Sequence, residues 1–181
     1  PYPFHRDRHQ WHNGEVLVEA EAAILLDDLK DASANAQQLE PVLRDILNDR
    51  PDGMNINLDC GSQATEGLQR HLMQRRAAIG LAFDGDGDRL IAVDEKGRTI
   101  TGDQILVLCA KALKDQGRLK NDLLVSTVIS NLGLTFACKK YGFKHHASKV
   151  GDRYVLEDMQ RLGAVIGGEE SGHMIFLDHH T

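Results

Sequence analysis

The stretch LAFDGDGDRLIAV, residues 81–93, sets Asp84, Asp86 and Asp88 at alternate positions with a glycine in each gap and an apolar run on either side. Three carboxylates this near one another repel, and each ionised one is costly to desolvate. A divalent cation removes both costs. Ligands that are all oxygen select a hard ion, so magnesium, manganese and calcium are the candidates. In a straight strand alternate residues share a face but stand roughly 6.5–7 Å apart, whereas magnesium takes its oxygens at about 2.1 Å. The chain therefore has to curl, and Gly85 and Gly87 supply the dihedral freedom to curl it. Arg89 cannot ligate a cation and suits a phosphate or a hydroxyl instead.

Three other readings compete. An EF-hand would use Asp84, Asp86, Asp88 and Glu95 at its twelfth position, but its sixth position needs Gly and holds Arg89, and EKGRTITGD cannot start a helix. A phosphatase of the haloacid dehalogenase type would take Asp84 as nucleophile and Asp86 as acid after a buried strand; its motif normally continues with Thr or Val where this chain has Asp88. A solvated acidic turn fits poorly between apolar flanks. A metal loop is the preferred reading.

Around the loop, Ile79–Phe83 reads as a buried strand and Leu90–Val93 as a second, with DEKGR turning the chain back. Ser62 is the expected cap of a helix through Leu68 and Leu72, and Asp103 of a helix over QILVLCAKALKDQ that Gly117 ends. DLLVSTVIS then reads as a strand, Asn131 opens a helix ending near Gly142, and FKHHASKV is extended. DRYVLEDMQRLG is helical, and AVIGG and HMIFL are strands around a polar loop. Strands alternating with short helices predict an α/β fold. His145 and His146, as strand neighbours, face opposite ways and would not share an ion. Asp152 and Arg153 are expected to pair at a helix start. Upstream, Glu15–Leu29 and Leu39–Leu47 have helical spacing around a DASANAQQ linker, and His5, His9 and His12 belong to an irregular terminal segment in which a metal site is disfavoured.

The net charge of −6 offers no attraction to nucleic acid or an anionic membrane. The best apolar run, Ile105–Ala110, is far too short to span a bilayer, and the first residues lack a signal-peptide core. Cys60, Cys109 and Cys138 are odd in number and lack CxxC spacing, so neither disulfides nor zinc are expected, and a cytoplasmic location follows.

Residues 51–181 resemble the α-D-phosphohexomutases. The matching pieces are RPDGMNINLDCGS at 50–62, GLAFDGDGDRLIAVDEKGRTITGDQI at 80–105, VSTVISNLGL at 125–134, KVGDRYVLEDM at 149–159 and GGEESGHMIFLD at 167–178, in family order. KVGDRY together with GGEESGH narrows the resemblance towards the glucosamine branch. It implies mixed-sheet domains with helices on the sheet faces: residues 1–50 outside the family, 51–100 the end of a metal-binding second domain, and 101–181 most of a sugar-binding third domain. It implies interconversion of glucosamine 6-phosphate and glucosamine 1-phosphate through a phosphoserine and a 1,6-bisphosphate, feeding UDP-N-acetylglucosamine and cell-wall synthesis. Glucose and mannose phosphates stay open as substrates.

By the same resemblance, Asp84, Asp86 and Asp88 hold Mg2+ and Arg89 holds substrate or phosphoserine. Glu169 and Ser171 grip sugar hydroxyls, with His173 in support, and Lys149 lines the cleft as an acid–base candidate. Each has a plainer alternative: Lys149 a solvated surface residue, Glu169 and Glu170 an ordinary charged turn, His173 a core histidine satisfied by backbone. Glucosamine or glucose 1,6-bisphosphate would be the activator, and a hexosamine phosphate the partner, with no nucleic acid or membrane. The family's Ser-His-Asn-Pro loop is missing: serines stand at 33, 62, 126, 130, 148 and 171, none followed by His-Asn. The expectation is therefore an incomplete, inactive chain of mutase type. The competing expectation is a non-catalytic module that binds magnesium and a sugar phosphate.

Overall fold

The computed structural model describes residues 47, 48, 50 and 52–177; the expected upstream helices (Leu47 apart) and the His5, His9 and His12 trio lie outside them. The described residues from Asp52 onward form one compact unit.

Helix α1 (Glu66–Arg75) leads into a three-stranded antiparallel sheet of β1 (Ile79–Phe83), β2 (Leu90–Asp94) and β3 (Thr99–Ile100), in that order. The helix starts three residues later than the expected Ser62 cap. Thr65 occupies the N-cap position, and Ser62 is buried. Strand β1 is not the fully buried strand that its composition suggested. Gly80 and Ala82 face inward, while Ile79, Leu81 and Phe83 are about half exposed, at 55%, 43% and 52%. Leu68 and Leu72 of α1 pack on the Gly80 face of this edge strand, so its two faces differ.

Thr101 leads directly from β3 into α2 (Gly102–Asp115). The helix opens with Thr101 at the N-cap, whose N–H donates to Gln104 Oε1 at 2.9 Å. Asp103 is therefore not the cap but lies within the first turn, buried. Gln116 caps the far end, and Gly117 follows at φ 72°.

A short 3-10 turn (Lys120–Asp122) precedes the second sheet, built from β4 (Leu123–Thr127), α3 (Leu132–Tyr141), β5 (Lys144–Ser148), α4 (Asp152–Leu162), β6 (Ile166–Gly168) and β7 (Met174–Phe176). Strand order is β5-β4-β6-β7, with β4 parallel to β5 and β6 and with β7 antiparallel at the edge. This is the expected α/β class with a mixed sheet. Asn131 caps α3 by accepting from the Gly133 N–H at 2.8 Å, and Gly142 ends it in the left-handed region, as its sequence indicates.

Helix α4 covers one sheet face, where Val155 and Met159 meet Leu123, Val125 and Ala164. The other face carries α2 and α3. Alternation along β5 separates the two histidines as predicted. His145 reaches Ser126 Oγ (2.7 Å) and Thr135 Oγ1 (3.1 Å), while His146 Nε2 reaches Asp158 Oδ2 (3.0 Å) on α4. Arg153 does not pair with Asp152. Helical geometry places it beside Glu157, Nε to Oε1 2.9 Å. Among the described residues no helix is long and apolar enough to cross a membrane.

No disulfide joins the three cysteines. Burial pushes the Cys109 and Cys138 thiols up to about 11, the charge of Asp103 adding to the effect at Cys138. A thiol reagent at pH 8 is expected to modify half-buried Cys60 in the native protein and to reach Cys109 and Cys138 only after denaturation, as mass spectrometry of the labelled chain would show.

Candidate active site

In the four-stranded sheet the chain moves one way from β4 to β5, then reverses past β4 to reach β6. Such a switch point leaves an open crevice at the carboxyl ends of the parallel strands. Lys149 is the first residue beyond β5, and Glu169 the first beyond β6. Two of the residues picked from the sequence thus sit at the rim of the same crevice.

The aspartate loop is the connection between β1 and β2, closed by the Phe83–Leu90 pair. It curls as the carboxylate spacing demands: the Gly87 N–H donates to Asp84 O at 3.0 Å and the Arg89 N–H to Asp84 Oδ1 at 3.1 Å. Only one of its glycines is needed for its dihedrals. Gly87 has φ 69°, whereas a Cβ at Gly85 would crowd only the end of the exposed Ile56 side chain, which can move aside. One carboxylate oxygen from each of Asp84, Asp86 and Asp88 lies within 4.8 Å of the others. Oxygens around one octahedral magnesium lie roughly 3–4 Å apart, so the three fit one hard cation after a small closure. Asp86 and Asp88 are open to solvent and Asp84 is half-buried.

Burial pushes both Asp84 and Asp88 up, but their partners pull them apart. The Arg89 N–H and a hydrogen bond with Asp88 outweigh burial at Asp84 and leave it below the ordinary carboxylate value. At Asp88, burial is reinforced by the hydrogen bond and charge of Asp84 and opposed by His173, leaving it raised. The Arg89 guanidinium stands 3.8 Å from both Asp84 Oδ2 and Asp88 Oδ1, and its buried Nε makes no hydrogen bond among the described residues.

The second half of the site is the turn Glu169–His173, between antiparallel β6 and β7. The Gly172 N–H donates to Glu169 O (3.0 Å), and the Glu169 N–H to His173 O (2.9 Å). The turn is held from three directions. Towards the aspartate loop, the Leu90 N–H donates to Gly172 O at 3.0 Å and His173 Nδ1 meets Asp88 Oδ2 at 3.2 Å. Towards the Lys149 segment, the Gly151 N–H donates to Glu169 Oε1 at 2.9 Å. Towards α2, the Gly102 N–H donates to Glu170 O at 3.1 Å, while the Asp103 N–H and Thr101 Oγ1 reach Glu170 Oε2 at 3.2 and 3.3 Å.

The structure thus brings together Asp84, Asp86, Asp88, Arg89, Glu169 and His173. Ser171 lies in the same turn, half-buried. Lys149 is joined to it through Gly151, and its ammonium stands exposed over the Tyr154 ring at 5.6 Å. His173 is not a core histidine satisfied by backbone, because its ring nitrogen meets a carboxylate of the aspartate loop. Sequence reasoning missed Gly102, Asp103, Gly151 and Glu170. Adjacency to Glu169 was the only signal for Glu170, and its partners lie more than sixty residues away in the chain.

Comparison with known proteins agrees with this fold. Residues 101–181 match the family model described as phosphoglucomutase/phosphomannomutase, alpha/beta/alpha domain III. A crystal structure of a phosphoglucomutase/phosphomannomutase family protein from Burkholderia thailandensis superposes with TM-score 0.59 at 30% identity, over 65% of this chain and 25% of that one. N-acetylphosphoglucosamine mutase of Aspergillus fumigatus, solved with GlcNAc-6P and magnesium, shares the fold at TM-score 0.51 and 24% identity, over 65% of this chain and 26% of that one. Residues 101–181 thus place this part of the chain in the phosphoglucomutase/phosphomannomutase family.

Within it, the chain is 74% identical over 137 residues to a phosphoglucosamine mutase of Syntrophobacter fumaroxidans, and 56% identical over 135 residues to one of Syntrophus aciditrophicus. These stretches cover 76% and 75% of this chain but 30% of each relative, so the chain matches under a third of the length of its relatives.

A Cβ added at Gly102 would fall 2.3 Å from Glu169 O, and one at Gly172 2.4 Å from Leu90 O. Gly102→Ala and Gly172→Ala are therefore expected to push the turn off its supports. Hydrogen exchange should rise in the Glu169–His173 peptide for both variants, while peptides of β4 and α4 keep wild-type exchange.

Proposed function

We propose that this chain supplies the metal-binding and sugar-contacting parts of a phosphoglucosamine mutase, which interconverts glucosamine 6-phosphate and glucosamine 1-phosphate through a 1,6-bisphosphate. The observation that carries the reading is the contact between two loops distant in sequence: the converging carboxylates of Asp84, Asp86 and Asp88 are joined to the Glu169–His173 turn through Asp88–His173 and Leu90–Gly172. Phosphoryl transfer asks the protein mainly for positioning and for neutralisation of charge on the transferring oxygens.

In this reading Asp84, Asp86 and Asp88 hold Mg2+, which when bound offsets the negative charge of the phosphoryl group. His173 fixes the orientation of Asp88, as the outer partners of metal ligands commonly do. Arg89 offers the nearest guanidinium to that loop and takes a phosphate oxygen. Glu169 and Ser171 accept from and donate to sugar hydroxyls on the turn. Lys149, exposed beyond β5, serves the sugar oxygens as proton donor and acceptor. A 1,6-bisphosphate of glucosamine or glucose would serve as activator, and the setting would be the cytoplasm. The mutase reading draws on the 74% identity as well as on the geometry.

The phosphatase reading loses support, because its nucleophile would follow a buried strand, whereas β1 is a half-exposed edge strand paired antiparallel. The chain also contains no Ser-His-Asn-Pro sequence to carry a phosphoserine. The 181-residue polypeptide by itself is accordingly expected to bind but not to turn over. A coupled assay with glucosamine 1-phosphate and a 1,6-bisphosphate should give no sustained production of glucosamine 6-phosphate; sustained turnover would show that a second phosphoryl carrier exists in these residues.

Binding is tested separately with Mn2+, followed by its electron paramagnetic resonance signal. One ion per chain is expected, competed by Mg2+, with affinity reduced on the order of 10–100-fold in Asp86→Ala and in His173→Ala. Unchanged Mn2+ binding in Asp86→Ala would remove the metal-loop assignment.

A further inference from the structure

Glu169 and Glu170 are neighbours with different partners. Glu169 turns its carboxylate to the Gly151 N–H, in the segment after β5. Glu170 turns to the first turn of α2, where its Oε2 accepts from the Asp103 N–H and faces Thr101 Oγ1. There it meets a second acid. Asp103 is only 3% exposed; its Oδ2 accepts from the Asn131 N–H at 2.5 Å, and its Oδ1 is buried with no donor among the described residues. A buried acceptor left unmade is expensive, and two carboxylates brought together do not both stay ionised. One proton on Glu170 resolves both problems, because the carboxylic acid donates to Asp103 while its other oxygen still accepts from α2.

We propose that Glu170 is a positioning residue: through one proton shared with Asp103 it latches the Glu169–His173 turn onto the start of α2. Its value for function rests on the reading of that turn as a sugar contact, but the latch itself does not. The direct backbone bond from the Gly102 N–H to Glu170 O fixes where the turn sits, and the shared proton decides how tightly it is held there.

The groups around the pair leave Asp103 in control. From α2 comes Lys111, whose ammonium is paired with Asp115 and lies 5.8 Å over the Tyr141 ring. From α3 come the Asn131 N–H and the buried Cys138 thiol. From β5 comes His145, held below its ordinary value first by burial, with Asp103 opposing. In the turn itself, Glu169 is committed to Gly151 and His173 to Asp88. Burial, the hydrogen bond to Asp103 and the charge of Asp103 all raise Glu170 above the ordinary carboxyl value, against the Asp103 N–H and Thr101, which lower it.

The sign follows. A carboxyl raised in the latched state stabilises that state fully below its ordinary value of 4.5, and the contribution is lost as pH rises through the raised value and the proton leaves to solvent. Gln carries a permanent donor and acceptor in the same shape. Glu170→Gln should therefore keep the latch at every pH, and Asp103→Asn should do so by donating from its own amide. Glu170→Ala should lose it at every pH.

The test is amide exchange by NMR on the ligand-free chain from pH 4 to 8, expressed as protection relative to the intrinsic rate, at Gly102 and Gly172. Wild type is expected to lose up to about tenfold in protection per pH unit across the titration of Glu170, followed in parallel by its side-chain carboxyl carbon. Glu170→Gln and Asp103→Asn are expected to give flat profiles at the protected level. The proposal is overturned if Glu170→Gln loosens the turn as Glu170→Ala does, or if the wild-type profile is as flat as that of Glu170→Gln. Should Glu170→Ala fail to fold, the comparison of wild type with Glu170→Gln decides alone. Glucosamine 6-phosphate is added afterwards to the same samples. Shifts at residues 169–173 then bear on the sugar-contact reading, and the ligand-free profiles alone bear on the latch.

Discussion

The turn at Glu169–His173 is clasped by main-chain hydrogen bonds from two sides. The Leu90 N–H donates to Gly172 O, and the Gly102 N–H donates to Glu170 O. Both bonds require backbone to approach backbone so closely that neither Gly102 nor Gly172 has room for a Cβ. Main-chain donors and acceptors cannot rotate away as side chains can, and a buried one left unpaired is penalised. The start of β2, which carries the aspartate loop, and the start of α2 are thus both referenced to one short turn. Positions of functional side chains on either side follow from that single clasp.

Around it, side-chain chemistry is divided with little overlap. Glu169 faces the segment after β5, Glu170 faces α2, and His173 faces Asp88. Each direction of the turn is therefore fixed by a different polar group. A pull on one support need not release the others, so the turn stays in place as a unit. The aspartate loop is less self-sufficient. Its three carboxylates converge, and among the described residues the Arg89 and His173 contacts offset their repulsion. Such unbalanced negative charge is electrostatically suited to a cation.

Much of this was legible in the residues. Alternate aspartates with interposed glycines announce a curled loop, because a straight strand would hold the carboxylates apart, and in the fold they converge. The alternation of strands and helices over residues 123–177 was equally readable, since apolar period and glycine stops are local signals. The opposed directions of His145 and His146 follow from strand alternation alone.

Tertiary structure decided what depends on partners remote in the chain. Ser62 and Asp103 both look like helix caps, yet Thr65 and Thr101 take those positions, because packing buries Ser62 and draws Asp103 to Asn131 and Glu170. Arg153 chose Glu157 over its neighbour Asp152, a matter of helical direction rather than proximity in sequence. Ile79, Leu81 and Phe83 are half exposed, since α1 covers the Gly80 face of β1, which composition cannot reveal. The sequence by itself determined the chemistry of the aspartate loop and the order of the elements, through short-range sterics and charge. Only the fold decided that this loop, α2 and the Glu169–His173 turn meet, because that meeting rests on close backbone approaches between segments that share no local pattern.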